Sequence, residues 1–145
     1  MQIPQLSLFL ENKPGQILEP CALLAKAGIN ILTLTLADTQ QFGILRLIVN
    51  DWQKAKKVLE ETNHVVNVTE VVAIEVPDHP GGLKEVLDKI VEAGLNIEYT
   101  YAFTFGRKDK AILIFRFEDV DRAIEVLQSN NLDIVDKVGL YGQKK

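Results

Sequence analysis

The chain has 145 residues, of which 20 are acidic and 16 are basic, so its formal net charge is −4 at pH 7. A hydrophobic content of 47% with 25% charged residues is typical of a folded globular protein and excludes a disordered or fibrous chain. The acidic balance disfavours binding to nucleic acids or anionic membranes, because both need a basic surface.

Few residues are available for metal binding or disulfide formation. The chain contains one cysteine, Cys21, and two histidines, His64 and His79. A single cysteine cannot form an internal disulfide, and a closed zinc site needs more ligands of these types. We therefore expect no metal or other cofactor and a reducing, cytoplasmic compartment. The sequence has no apolar stretch of about 18 residues and begins without the basic region of a signal peptide, so we expect neither export nor membrane insertion.

The sequence contains two copies of one unit. NKPGQILEPCALLAKAGINI (residues 12–31) aligns with DHPGGLKEVLDKIVEAGLNI (residues 78–97) at a constant offset of 66. Further on, the segment from Ile44 matches the segment from Ile112 at an offset of 68, so the second copy has two extra residues, around GRKDK. A hairpin loop tolerates such an insertion. We predict two domains, residues 1–70 and residues 71–145.

The first copy is predicted to fold as strand, helix, strand, strand, helix and strand. The predicted segments are Leu6–Leu10, Pro14–Ala27, Ile29–Ala37, Ile44–Val49, Trp52–Glu61 and Val65–Thr69. Pro20 lies inside the first of these helices, where it removes a backbone donor. We expect a kink there, or a helix start displaced toward Glu19.

The second copy repeats this order. Its predicted strands are Val72–Val76, Asn96–Phe105, Ala111–Phe117 and Leu132–Val138. Its first helix begins near Leu83 and ends before Gly94 at a C′ position, and Asp119 caps the second helix. The order β-α-β-β-α-β predicts an α+β fold of two ferredoxin-like units, each an antiparallel sheet with both helices on one face.

The strand–helix turn is the repeated feature with the chemistry of a binding site. It reads N-K-P-G in the first copy and D-H-P-G in the second, and G-[IL]-N-I follows each helix. The start of a helix suits a carboxylate, and a glycine lets a ligand approach the backbone. The amides of Asn12 and Asn30 can both donate and accept hydrogen bonds, as the head group of a free amino acid requires. Taken singly, these residues also suit an ordinary turn, a helix cap or a helix–strand link.

The pattern [ND]-x-P-G-x-[IL] after a strand, with A-G-[IL]-N-I after the helix, resembles the ACT domain. The resemblance covers nearly the whole chain as two units without a catalytic domain, and it implies amino-acid binding between paired units and a regulatory role. It implies that Asn12, Gly15 and Asn30 serve one site, and Asp78, Gly81 and Asn96 the other. The full set of ligand-binding candidates is Asn12, Pro14, Gly15, Asn30, Ile31, Asp78, Pro80, Gly81, Gly82, Asn96 and Ile97.

The two copies differ in charge at the turn. Asn12 is neutral, whereas Asp78 would repel a ligand carboxylate unless it faces the ammonium group. His79 beside it could titrate near neutral pH. On this argument we expect the Asn12 site to bind more strongly than the Asp78 site.

The third element differs between the copies. Aromatic and apolar residues alternate from Ile97 to Phe105, whereas the apolar residues of the first copy, Leu32, Leu34 and Leu36, have the opposite parity. A β-bulge would restore one core face, and otherwise an apolar sheet surface needs a partner. We expect a homodimer formed through sheet faces or edges.

Two other classes of function have less support. Cys21 aligns with Leu87 on a buried helix face and no nucleophile–base pattern exists, so we expect no enzyme activity. Phe115 and Phe117 on a middle strand resemble the stacking aromatics of RNA-binding sheets, but the accompanying basic motif is absent. Two alternatives stay open: an amino-acid sensor that modulates a partner enzyme, and a dedicated regulatory subunit similar to the small subunit of acetolactate synthase.

Overall fold

The computed structural model describes residues 1–38, 40–106, 108–136, 139 and 141. The elements within these residues are β1 (Ile3–Glu11), α1 (Leu18–Lys26), β2 (Ile31–Asp38), β3 (Phe42–Val49), α2 (Trp52–Glu60), β4 (Val66–Pro77), α3 (Gly82–Glu92), β5 (Ile97–Ala102), β6 (Lys110–Phe117), α4 (Val120–Ser129) and β7 (Ile134–Val135). They divide into two compact units, one of Pro4–Thr69 and the other of Met1–Ile3 with Glu70–Lys145. No helix of the described part is long and apolar enough to cross a membrane.

The first unit has both helices on one face of an antiparallel sheet. Strand β3 lies between β2 and β1, with Leu6 opposite Leu47 and Leu36 opposite Leu45. Alternate residues of β1 and β3 point to the helices, as the period of a strand requires. Together with Leu24 of α1 and Leu59 of α2 they form the core. Its other buried members are Leu8, Leu10, Ile29, Leu45, Val49, Ala55 and Val66.

The second unit repeats this arrangement. From Glu70 onward β4 pairs with β6, β6 pairs with β5, and β7 pairs with β4 at Ala73 and Ile74. Phe115 and Phe117 of β6 point to α3 and α4 and are fully buried. The predicted α+β class with two ferredoxin-like units is therefore confirmed.

Pro20 sets where α1 begins. The helix starts at Leu18 instead of the predicted Pro14, which places Pro20 at its third residue. The first N–H groups of a helix have no partner within it, so proline is tolerated there without a kink. The displaced start, one of the two expected outcomes, is what the structure shows.

We predict that Pro20→Ala lowers the free energy of unfolding by about 1–2 kcal/mol, through the loss of part of a buried ring, because no helical hydrogen bond is gained in the first turn. Ala22→Pro, two residues further into α1, should cost about 3 kcal/mol because it removes an internal bond. Urea denaturation of both variants measures the difference. Equal losses for the two variants would contradict this position of the helix start.

Each of the helices α1 to α4 is followed, within two or three residues of its end, by a residue with positive φ. These residues are Gly28, Asn63, Gly94 and Asn131, with φ of 75, 69, 73 and 59°. After α3 the Leu95 N–H donates to the Ile90 carbonyl and the Gly94 N–H donates to the Val91 carbonyl, which is a Schellman motif. The predicted role of Gly94 is confirmed, and so is the cap of α4, where the Asp119 carboxylate accepts from the Arg122 N–H.

Four strand predictions were wrong in their limits. The segments expected as Val65–Thr69 and Val72–Val76 are parts of one strand, β4. Strand β5 ends at Ala102 instead of Phe105, because the hairpin that carries the two extra residues begins there. Strand β7 begins at Ile134 because the Leu132 N–H closes the end of α4 on the Leu127 carbonyl. The last two residues of its predicted span, 137 and 138, lie outside the described residues.

Both edge strands carry a bulge at the same place. It lies between Ile31 and Thr33 in β2 and between Ile97 and Tyr99 in β5. Because β2 and β5 carry the bulge at the same position, the bulge does not cancel the difference between them. The apolar residues of β2 and the aromatic residues of β5 still point to opposite faces. Leu34 and Leu36 lie opposite core residues of β3 and point to the helix side, whereas Tyr99 and Tyr101 lie opposite Arg116 and Ile114 on the face that points away from α3 and α4.

Candidate functional site

The first predicted turn, between β1 and α1, is joined to the β2–β3 hairpin. The Asn12 N–H donates to the Gln41 carbonyl at 2.9 Å, and its side-chain amide donates to the Gln40 carbonyl at 2.8 Å. Gly15 has a φ of +86°, and no described atom lies within 4 Å of where its Cβ would be. The glycine is therefore required by the backbone conformation, and it leaves the turn open to solvent.

A small cleft lies beside this turn. Its volume is about 70 Å³, and it is lined by Leu10, Glu11, Asn12, Lys13, Gln16, Ile17, Leu36, Asp38 and Gly43. The cleft is large enough for at least one water molecule, and its lining offers amide, ammonium and carboxylate groups to the charged end of an amino acid.

The second predicted turn, between β4 and α3, is built more tightly. Gly81 has a φ of +87° and is the N-cap of α3. A Cβ on Gly82 would lie 1.9 Å from the Pro77 carbonyl oxygen, so Gly82 is needed for the packing of α3 on the end of β4. Pro80 lies in the turn and is exposed, and the adjacent His79 ring nitrogen Nδ1 lies 3.0 Å from the Pro80 carbonyl oxygen.

The structure does not bring Asn30 or Asn96 to the turn of its own unit. Ile31 lies opposite Val49, whereas Asp38 and the β1 terminus lie beside Gly43 and Phe42 at the other end of β3. An eight-residue strand separates these ends by roughly 25 Å. The same holds in the second unit, where Ile97 lies opposite Phe117 and Asp78 follows the residue opposite Lys110.

Asn30 and Asn96 instead join each helix to the strand that follows. The Asn30 N–H donates to Asn50 Oδ1 at 3.1 Å, and the Asn96 carbonyl accepts from the Glu118 N–H at 3.3 Å. Ile31 and Ile97 pack against the two cores. Asn30 can meet an Asn12 turn only if the two come from different units.

A larger cleft lies at the β5–β6 hairpin, and we call it the hairpin cleft. Its volume is about 300 Å³, and its lining residues are Asp78, Ala102, Phe103, Thr104, Phe105, Gly106, Lys108, Lys110, Ala111 and Ile112. Of these, only Asp78 was predicted from the sequence. The neutral side chain of Asn12 favours binding of a carboxylate at the first turn. The larger volume of the hairpin cleft favours binding at the Asp78 turn.

Cys21 and His64, which were considered for catalysis, lie in surroundings that suit a structural role. Burial raises the pKa of the Cys21 thiol above its ordinary value of 9.0, which keeps it protonated and weakly nucleophilic at neutral pH. His64 Nε2 lies 3.5 Å from Glu19 Oε1, and its Nδ1 lies 3.0 Å from the Thr62 hydroxyl. Among the described residues no group of three or more His, Cys, Asp or Glu side chains is placed to hold a metal ion.

The aromatic residues that suggested RNA binding cannot serve it. Phe115 and Phe117 have no exposed surface, and their rings stack 5.8 Å apart within the core. Bases stack only on exposed rings, so this alternative is excluded for these two residues. The partly exposed pair is Tyr99 and Tyr101, whose ring centroids are 6.4 Å apart.

A family model described as an ACT domain pair matches residues 1–142 of the chain. Among proteins with curated descriptions, none matches the sequence. The chain is similar to protein BT0572 from Bacteroides thetaiotaomicron, with 41% identity and a TM-score of 0.90 over 97% of this chain and 96% of that one.

Two more distant structures share the fold. The regulatory subunit of aspartate kinase from Thermus thermophilus, in its ligand-free form, is 19% identical, with a TM-score of 0.60 over 88% of this chain and 92% of that one. Aspartate kinase from Synechocystis is 18% identical, with a TM-score of 0.57, and the match covers 98% of this chain and 26% of that one.

Proposed function

Because the chain belongs to the ACT domain pair family, we propose that it is a non-catalytic, cytoplasmic regulatory protein that senses a free amino acid and modulates a partner enzyme of amino-acid metabolism. The observation that carries this proposal is the repeated turn. Each unit presents a glycine with φ near +86° after a strand end that bears Asn12 or Asp78, and a cleft lies beside each turn.

The small cleft at the Asn12 turn supports a site completed by a second unit. It is smaller than the hairpin cleft, and Asn30 lies at the opposite end of β3. Pairing of units, as in a homodimer, would supply the rest of the site, including an Asn30 amide from the neighbour. A ligand held in this way favours the paired arrangement by its difference in affinity for the two arrangements.

The test of amino-acid sensing is a thermal-shift screen of the full chain against the twenty amino acids at millimolar concentration. A ligand that binds only the folded protein raises its stability by about 2.7 kcal/mol at a hundredfold excess over Kd. We expect one amino acid or a chemically related group to raise the Tm. No shift with any of the twenty would refute the proposal.

We predict that Asn12→Ala lowers the affinity of the site at the Asn12 turn, as distinct from the hairpin cleft, at least tenfold for the amino acid found by the screen. The side-chain amide of Asn12 can meet either a carboxylate or an ammonium group, and a hydrogen bond to a charged group contributes about 1.5–3 kcal/mol. Isothermal titration calorimetry of the full chain measures the change. Asn67→Ala, at an exposed position of β4, is the matched control and should bind as the unchanged protein does.

Asn12 also bonds the hairpin, so the Tm of each unliganded variant should be recorded. A tenfold loss with an unchanged Tm supports direct contact with the ligand. Unchanged affinity in Asn12→Ala would remove this turn from the site.

The second candidate function is a dedicated regulatory subunit of one enzyme. It is favoured by the fold shared with the aspartate kinase regulatory subunit from Thermus thermophilus, 92% of whose chain is covered. A dedicated subunit elutes with its enzyme whether or not the amino acid is present. A free-standing sensor changes its association when the amino acid is added.

A further inference from the structure

The floor of the hairpin cleft is apolar and aromatic. Phe103 is 7% exposed and Ile112 is 1% exposed. The ring of Phe105, 41% exposed, lies at a centroid distance of 6.2 Å from the ring of Phe103, tilted by 56°. Small-molecule sites have clefts of about 300–1,000 Å³ with mostly apolar walls and a few polar groups, and this cleft reaches the lower end of that range.

Both signs of charge border this floor. The Asp78 N–H donates to the Asp109 carbonyl at 2.8 Å, so the Asp78 backbone lies against the segment between Lys108 and Lys110. Lys110 lies opposite Pro77, the residue before Asp78. One carboxylate and two ammonium groups therefore border the same cleft.

The first unit lacks this combination at the equivalent positions. Asn12 takes the place of Asp78, Ala37 that of Phe103, and Phe42 that of Lys110, while the shorter hairpin has no counterpart of Lys108. Both units have the same fold, so these charged and aromatic residues are not needed to form it. The difference belongs to the second unit alone and points to ligand recognition there.

We propose that the hairpin cleft binds one whole amino acid with a large apolar side chain. This inference rests on the proposed function and names the class of ligand. The ligand carboxylate meets Lys108 and Lys110, its ammonium group meets Asp78, and its side chain lies on Phe103 and Phe105. The negative charge of Asp78, which counts against a carboxylate, is complementary to the ammonium end of the same ligand.

The test uses calorimetry of the full chain with L-phenylalanine and L-leucine, compared with glycine, L-serine and L-aspartate. We expect the first two to bind at least tenfold more tightly, because an apolar side chain adds buried area and L-aspartate adds an unpaired charge. Two half-ligands separate the charged contacts. Phenylpropionate lacks the ammonium group, and phenethylamine lacks the carboxylate.

Variants then locate the contacts. Asp78→Asn should weaken L-phenylalanine about tenfold or more and should not weaken phenylpropionate, whose carboxylate loses a repelling charge. Lys108→Ala with Lys110→Met should weaken L-phenylalanine and should not weaken phenethylamine, for the same reason. Phe105→Ala should weaken all three ligands. Lys84→Ala, on the exposed face of α3, is the matched lysine control and should change none.

The outcomes separate this inference from the proposed function. A response in the screen only to small or acidic amino acids, or binding of L-phenylalanine that all four cleft substitutions leave unchanged, overturns the inference while the sensor function stands. Silence of all twenty amino acids overturns both. Selective loss with the matching half-ligand establishes the orientation proposed here.

Discussion

Phe115→Ala lowers the free energy of unfolding by about 4 kcal/mol, because it removes a large buried side chain and leaves a cavity in the core of the second unit. Phe115 has no exposed surface, and its ring stacks on Phe117 at 5.8 Å between β6 and the two helices. The substitution therefore removes packing contacts with α3 and with α4. Urea denaturation of the full chain, followed by far-UV circular dichroism, measures the change.

Two further variants keep this prediction informative. Phe115→Leu retains most of the volume and should cost less than about 1.5 kcal/mol, so it remains measurable if the alanine variant does not fold. Phe9→Ala removes a ring that is 62% exposed and should cost less than about 1 kcal/mol. Similar losses for Phe9 and Phe115 would contradict the inward orientation of β6.

Gly82→Ala should cost about 3 kcal/mol, because its new methyl group would lie 1.9 Å from the Pro77 carbonyl oxygen. Atoms at that distance overlap, so the start of α3 must move away from the end of β4. Thermal and urea denaturation measure the loss. Because Asp78 lies between these two residues, we also expect weaker amino-acid binding at the hairpin cleft.

Gly81→Ala is the matched control, one residue away. Its Cβ meets open space within the described structure, and the cost is only that of a left-handed backbone at φ +87°, about 1–2 kcal/mol. A larger loss for Gly81 than for Gly82 would show that backbone conformation, and not packing, decides this turn.

The fold was predictable because its signals are local and occur twice. The offset of 66 defines the repeated unit, Gly94 ends α3, and Asp119 caps α4, each through a contact within a few residues. The start of α1 depends on two opposing signals: the apolar period favours a helix from Pro14, and Pro20 disfavours one. The sequence contains both signals but does not show which of them is stronger. The ends of β5 and β7 depend on hairpin and cap geometry, which the strand pattern does not contain.

The candidate site was predictable only in part, because it is assembled across strands. The turn residues are contiguous and were found as a motif. Asn30 is near Asn12 in the motif and distant in space, since β2 runs the length of the sheet between them. The hairpin cleft combines Asp78 with Phe103 and Lys110, which belong to three segments. The signal available was the charge of the two-residue insertion, which we interpreted only as an insertion that a hairpin loop tolerates.

The bulge at equivalent positions of β2 and β5 bears on how the two units arose. An irregularity at equivalent positions of two copies is inherited most simply from the single ancestral unit, before its duplication. From then on the register of each edge strand was set, and mutation could alter its side chains but not which of them faced the helices. The leucines of β2 and the tyrosines of β5 therefore give the two edge strands different surfaces on one shared register.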